Sequence, residues 1–170
     1  LFFKTLGQID ENKVTRFVLN YSKTHGLSTE AVRSILDPAQ YIPEIIERIS
    51  RPAEDISWKR YRKIFLTNER ITKGVNFWND HENTLSAVSK DTGVEIEYLI
   101  AILGVETYYG EKKGAYKVLD ALYTLAFAYP KRANFFTKEL GEFITLSITQ
   151  NLDLYNAEGS YAGAIGYCQF

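Results

Sequence analysis

Glu106 is the residue on which chemistry can be built. It lies in the run Ile100 to Gly110, Ile-Ala-Ile-Leu-Gly-Val-Glu-Thr-Tyr-Tyr-Gly, where apolar and small residues carry one carboxylate and then stop at aromatics and a glycine. An ionised carboxylate in apolar surroundings is costly unless it is paired or hydrogen-bonded. The negative end of a helix dipole disfavours the charged form again. A carboxyl that keeps its proton under both influences is what protonation of a glycosidic oxygen requires. Tyr108, Tyr109 and Gly110 follow immediately, where a sugar ring could stack. The competing reading is a surface glutamate at a helix end.

A retaining glycosidase needs a second carboxylate about 5 Å away, and an inverting one a partner somewhat further off. The nearest in sequence are Glu111 and Asp120. Glu111 sits between a glycine and two lysines and reads as solvated. Asp120 falls on a helix of buried character and reads as a cap or a local hydrogen-bond partner. Glu106 is therefore expected to act alone. Other chemistries lack their residues: two histidines and one cysteine form no metal-ligand spacing, and no phosphate-binding glycine loop is present. His81-Glu82 lacks the second histidine of a metalloprotease helix and reads as a solvated or hydrogen-bonded His.

The elements that must carry Glu106 read as helices. Val14, Phe17, Val18 and Tyr21 recur at helical spacing over 12–25, with Gly26 at the expected stop. Ser28 or Thr29 caps a second helix through Leu36, and Pro43 opens a third with Ile45, Ile46 and Ile49 inward. Arg51 to Asp55 reads as a short polar connection. Ser57 caps a helix with Trp58, Tyr61, Ile64 and Phe65 on one stripe. The spacing predicts a long helix over 68–91 with Ile71, Val75, Trp78, Leu85 and Val88 inward. A helix over 95–107 delivers Glu106, with Ile96, Leu99, Ile100, Leu103 and Val105 apolar. Val118 to Ala128 reads as a buried helix, and 131–151 as another with Phe135, Phe136, Leu140, Phe143, Ile144 and Ile148 inward. No strand is expected, so the fold class is mainly α.

The chain has 170 residues, 45% of them apolar and 24% charged, which suits a globular domain with a sizeable core. A net charge of −1 supplies no basic field for phosphates, so no nucleic-acid partner is expected. No apolar run reaches membrane-spanning length, so no transmembrane segment is expected. Cys168 has no partner for an internal disulfide and reads as a free buried thiol. The absence of methionine predicts a processed chain or a piece of a longer protein.

Three motifs resemble one family in particular. Gly104-Val105-Glu106-Thr107-Tyr108-Tyr109-Gly110, then Val118-Leu119-Asp120-Ala121-Leu122 with Thr124-Leu125-Ala126-Phe127, then Gly159-Ser160-Tyr161-Ala162-Gly163-Ala164 closing on Gln169-Phe170, are similar to the membrane-bound lytic murein transglycosylase B family. Upstream, Tyr61-Arg62-Lys63-Ile64-Phe65 and Gly74-Val75-Asn76-Phe77-Trp78 extend the likeness over most of the chain.

The resemblance implies a lysozyme-like superfamily fold: an N-terminal helical part over 1–94, and over 95–170 the start of a lysozyme-like catalytic core, the two forming one compact unit or two. It implies a lytic transglycosylase that cleaves the β-1,4 MurNAc–GlcNAc bond of peptidoglycan without water, giving 1,6-anhydroMurNAc products. Glu106 occupies the single acid/base position. Tyr61, Tyr109, Arg132, Ser160, Tyr161, Gln169 and Phe170 fall at substrate-binding positions, although Tyr109 could instead pack beneath Glu106. Glycan strands are the expected partner, a monomer the expected state, and the periplasm the expected location, with an outer-membrane lipoprotein as the full-length form. No cofactor is expected within this segment. In family members the chain continues past Gln-Phe into Met-Pro-Ser and a further stretch that in some holds a calcium loop. Ile165 stands where the family usually has methionine, a volume-conserving change. The rivals are a hydrolytic muramidase and a non-catalytic peptidoglycan-binding or scaffold fragment.

Overall fold

The computed structural model describes residues 8–51 and 57–169. The expected connection Arg51 to Asp55 falls largely outside them. Eight α-helices occur among the described residues: α1 (Glu11–His25), α2 (Thr29–Leu36), α3 (Pro43–Ser50), α4 (Trp58–Phe65), α5 (Asn68–Thr92), α6 (Ile96–Glu106), α7 (Val118–Ala128) and α8 (Ala133–Thr149). None is long and apolar enough to cross a membrane. A short antiparallel pair, β1 (Tyr116–Lys117) with β2 (Glu158–Gly159), is a correction to the strand-free expectation. Two residues per strand leave no alternation for periodicity to detect.

Two compact units divide the chain, and each takes residues from both sides of position 94. The first joins Leu1–Pro52 with Gly114–Ala164, the second Ala53–Lys113 with Ile165–Phe170.

The first unit is built around α7, in which every residue except Tyr123 is buried. The helix packs against α8, α3 and α1. Phe127 lies edge-on to Phe17 of α1 at 5.9 Å. Asp10 caps α1 by accepting from the backbone of Asn12 and Lys13, and Gly26 ends the helix in the left-handed region at φ +66°. Polar residues of α7 make long-range bonds. Asp120 accepts from the Gln40 backbone N–H at 2.8 Å, and Thr124, one turn later, accepts from Ile42 N–H at 3.0 Å. Asp120 thus fixes the α2–α3 connection rather than bonding locally. The helix expected over 131–151 starts instead with a 3-10 turn, Pro130–Arg132. Phe135 and Ile148, expected inward, are exposed, while Phe136, Leu140, Phe143 and Ile144 form the inner face.

In the second unit α5 packs against α6. The expected inner stripe of α5 is corrected: Ile71, Val75 and Val88 are exposed, and the buried positions are Gly74 and Leu85. His81, exposed and packed against Phe77 at 4.4 Å between ring centroids, has non-helical backbone at φ −121° and ψ 19°. One such residue turns the second half of the helix relative to the first, so a straight helical wheel cannot hold one face over the whole length. On α6 the buried residues are Ile100 and Gly104, whereas Val105 is exposed. The stripe of α4 is likewise open, with Trp58, Tyr61 and Ile64 exposed. Cys168 is exposed, not buried, because it sits in the surface loop between Tyr167 and Gln169.

Replacing Asp120 with Ala should destabilise the protein by about 1–3 kcal/mol, the cost of leaving the Gln40 N–H without its acceptor in a part-buried setting. Urea unfolding of the two proteins measures it, with a lower midpoint and an unchanged slope expected.

Candidate active site

Glu106 is the last residue of α6, as its sequence position predicts. Its side chain is exposed and, among the described residues of its unit, has no hydrogen-bond or ion-pair partner. The expected apolar wrapping is therefore absent: the side chain leaves the end of the helix beside an equally exposed Val105. What the structure supplies instead is a rigid mount. Thr107 closes the helix at φ −129°, ψ 10°, and three residues follow in left-handed backbone: Tyr108 at φ +54°, Tyr109 at φ +61° and Gly110 at φ +88°. A side-chain-bearing residue there costs about 1–2 kcal/mol, so the two tyrosines must be held by their surroundings.

Thr107 supplies part of that hold. It is fully buried, and its hydroxyl donates to Tyr167 O at 2.7 Å while accepting from Gly110 N–H at 3.0 Å. Its carbonyl accepts from Lys112 N–H at 2.8 Å. The orphan carbonyl of Leu103 accepts from both Thr107 N–H and Tyr109 N–H, at 3.2 and 3.0 Å. Gly110 has to be glycine twice over, since a Cβ there would run into the Tyr167 ring.

Tyr109 is the wedge under the turn. Its hydroxyl donates to Arg70 O at 3.0 Å and lies between α5 and α6, where a Cβ added at Gly74 or Gly104 would come within 2.6 Å of it. Burial raises the hydroxyl's pKa above the ordinary tyrosine value. The tyrosine thus packs beneath the turn, as one of its two expected readings has it.

Of the other expected site residues, Tyr61 and Gln169 share the unit of Glu106. Tyr61 is exposed on α4, stacked on Trp58 with 5.9 Å between ring centroids. Gln169, itself at φ +54°, donates its side-chain amide to Lys113 O and Gly166 O at 3.1 and 3.2 Å. The first unit carries Arg132, Ser160 and Tyr161. Arg132 lies over the Phe135 and Phe136 rings at 4.2 and 5.2 Å. The Ser160 hydroxyl accepts from Ala162 and Ala164 N–H, ordering the Gly163 turn, and Tyr161 is exposed. Phe170 lies outside the described residues. Periodicity singles out neither Thr107 nor Arg70 nor Tyr167; the one signal is a hydroxyl residue directly after the carboxylate.

The two rival carboxylates are engaged elsewhere. Glu111 pairs with Lys73 at 2.6 Å, and Asp120 holds Gln40 within the first unit. Among the described residues no three His, Cys, Asp or Glu side chains gather to hold a metal ion.

Residues 10–170 match the model of the transglycosylase SLT domain. The chain belongs to that family. It is 35% identical to membrane-bound lytic murein transglycosylase B of Escherichia coli (strain K12) over 165 residues, 91% of this chain and 46% of that protein. Among solved structures it is similar to soluble lytic transglycosylase SltB1 from Pseudomonas aeruginosa, with a TM-score of 0.89 and 43% identity over 93% of this chain and 54% of that one. It is also similar to the Escherichia coli lytic transglycosylase Slt35 in complex with calcium, at 0.87 and 32%, over 99% of this chain and 55% of that one. The SLT domain here is accordingly mainly α and lysozyme-like. The chain spans about half the length of these relatives. The calcium belongs to the Slt35 complex.

Gly104→Ala should lower stability by about 1–3 kcal/mol in spite of alanine's better helix propensity, because the added carbon displaces the Tyr109 hydroxyl. Thermal melts should show the loss, and adding Tyr109→Phe should recover part of it.

Proposed function

We propose that this chain carries the acid/base residue of a periplasmic lytic transglycosylase acting on peptidoglycan. Glu106, as the acid, protonates the oxygen of the β-1,4 bond between MurNAc and GlcNAc. As the carboxylate it then takes the proton from the muramic acid 6-hydroxyl, which attacks the anomeric carbon and closes the 1,6-anhydro ring. No water enters and the proton returns to Glu106, so one carboxyl serves both steps. The nucleophile belongs to the same sugar, and its proximity replaces a second protein group.

The observation that supports this reading is the lone, rigidly mounted carboxyl in a family of transglycosylase domains. Glu111 is held by Lys73, and a carboxylate paired with an ammonium serves poorly as a second nucleophile or base. Tyr61 and Gln169, in the unit of Glu106, are assigned to substrate contact, and Arg132, Ser160 and Tyr161 keep that assignment on the family resemblance alone. Arg132 is an exposed residue although its guanidinium packs over two rings, and its charge suits stem-peptide carboxylates.

Glu106→Gln should reduce release of soluble fragments from purified peptidoglycan by about a hundredfold to ten-thousandfold, the usual worth of a general acid–base residue, with an unchanged circular dichroism spectrum. Mass spectrometry of the parent's products should find anhydro ends. Reducing ends alone would mean hydrolysis, and full activity in the variant would remove Glu106 from the reaction.

A further inference from the structure

On the first turns of α5, Glu69, Arg70 and Lys73 converge on the residues beyond Glu106. The Tyr108 hydroxyl donates to Glu69 Oε1 at 2.7 Å. The Arg70 guanidinium lies over the Tyr108 ring at 4.6 Å and over Phe65 at 5.0 Å, and it donates to Gly104 O, a carbonyl in the last turn of α6. The Arg70 carbonyl holds the Tyr109 hydroxyl. Lys73 stands 4.6 Å from the Tyr108 ring and pairs with Glu111 on the far side of the turn. Lys112 adds a third cation at 5.0 Å.

Three cations around one nearly buried tyrosine ring form an electrostatic socket, since the ring face is negative and each cation is attracted to it. The hydrogen bond to Glu69 and burial raise the Tyr108 pKa above the ordinary tyrosine value, so the hydroxyl remains a donor throughout the neutral range. A cation at the C-terminal end of α6 also complements the helix dipole. A single helix thus engages Gly104, Tyr108 and Glu111 through side chains and Tyr109 through the Arg70 carbonyl, on both sides of Glu106, without touching its carboxyl.

We infer that Glu69, Arg70 and Lys73 of α5, acting through Tyr108, are positioning residues that lock the left-handed turn and thereby fix where the Glu106 carboxyl stands; the effect on turnover rests on the function proposed above, whereas the lock itself does not. Misplacing a catalytic group by about an ångström can cost on the order of a hundredfold in rate.

The test compares Tyr108→Phe, Glu69→Ala and Glu69→Gln in the intact protein, with Glu106→Gln alongside. Glu69→Gln keeps an acceptor for the tyrosine hydroxyl; the other two position variants break the bond. Amide hydrogen exchange read by NMR should rise about tenfold at Tyr109 and Gly110 in Tyr108→Phe and Glu69→Ala, with α7 amides unchanged. On peptidoglycan the same two variants should lose about tenfold to a hundredfold in kcat with KM within about twofold, and Glu69→Gln should recover most of both. Unchanged exchange in the turn, a uniform rise across the protein, or a Glu69→Gln that behaves like Glu69→Ala would each overturn the lock. Retained turnover in Glu106→Gln would instead overturn the function reading, and the exchange data would still decide the lock.

Discussion

Two consecutive tyrosines in left-handed backbone follow Thr107, the residue that closes the helix ending at Glu106. That conformation is costly for residues with a Cβ, and it persists only where neighbouring groups over-determine it. The second unit can be understood from this constraint. Gly74 and Gly104 remove the side chains that would block the Tyr109 hydroxyl, Thr107 ties the turn to Tyr167, and Gly110 yields space to the Tyr167 ring. Glycines inside helices weaken them by about 0.5–1 kcal/mol each. Here that weakening is the condition for α5 and α6 to close on a tyrosine.

The same constraint bears on chemistry. A carboxyl that works alone, first as acid and then as base, gains from a fixed position, because proximity to the substrate's own hydroxyl stands in for a second protein group. On the proposed reaction, the exposure of Glu106 is no obstacle, since the sugar must reach it. The rigid backbone beneath carries the demand for precision. Glu111 and Asp120, which a two-carboxylate mechanism would have to recruit, instead serve the mount and the core: one pairs with Lys73, the other holds the α2–α3 connection.

Much of the architecture was legible in the sequence. The apolar spacing of α1, the cap at Ser28, the helix opened by Pro43, and the near-continuous apolar run of α7 all correspond to what folds, because in each the local pattern and the tertiary environment agree. The stripes of α4, α5 and α6 show where that reasoning ends. Ile71, Val75 and Val105 have the spacing of buried residues yet are exposed, and the seam between α5 and α6 is marked by glycines. A hydrophobicity pattern records where apolar side chains lie. It is blind to a contact made by removing a side chain, and to a kink such as the one at His81.

From its sequence alone this protein can be placed as mainly helical, with a single carboxylate at the end of an apolar helix and motifs that resemble one family of peptidoglycan enzymes. Those properties depend on residue type and near-neighbour spacing, which a linear chain displays directly. Only the tertiary structure decided that Glu106 stands exposed at the end of α6 ahead of a left-handed turn, that Tyr109 packs beneath that turn, and that Asp120 reaches a backbone eighty residues away. Each of these is set by which helix meets which, a choice among long-range pairings that local spacing does not encode.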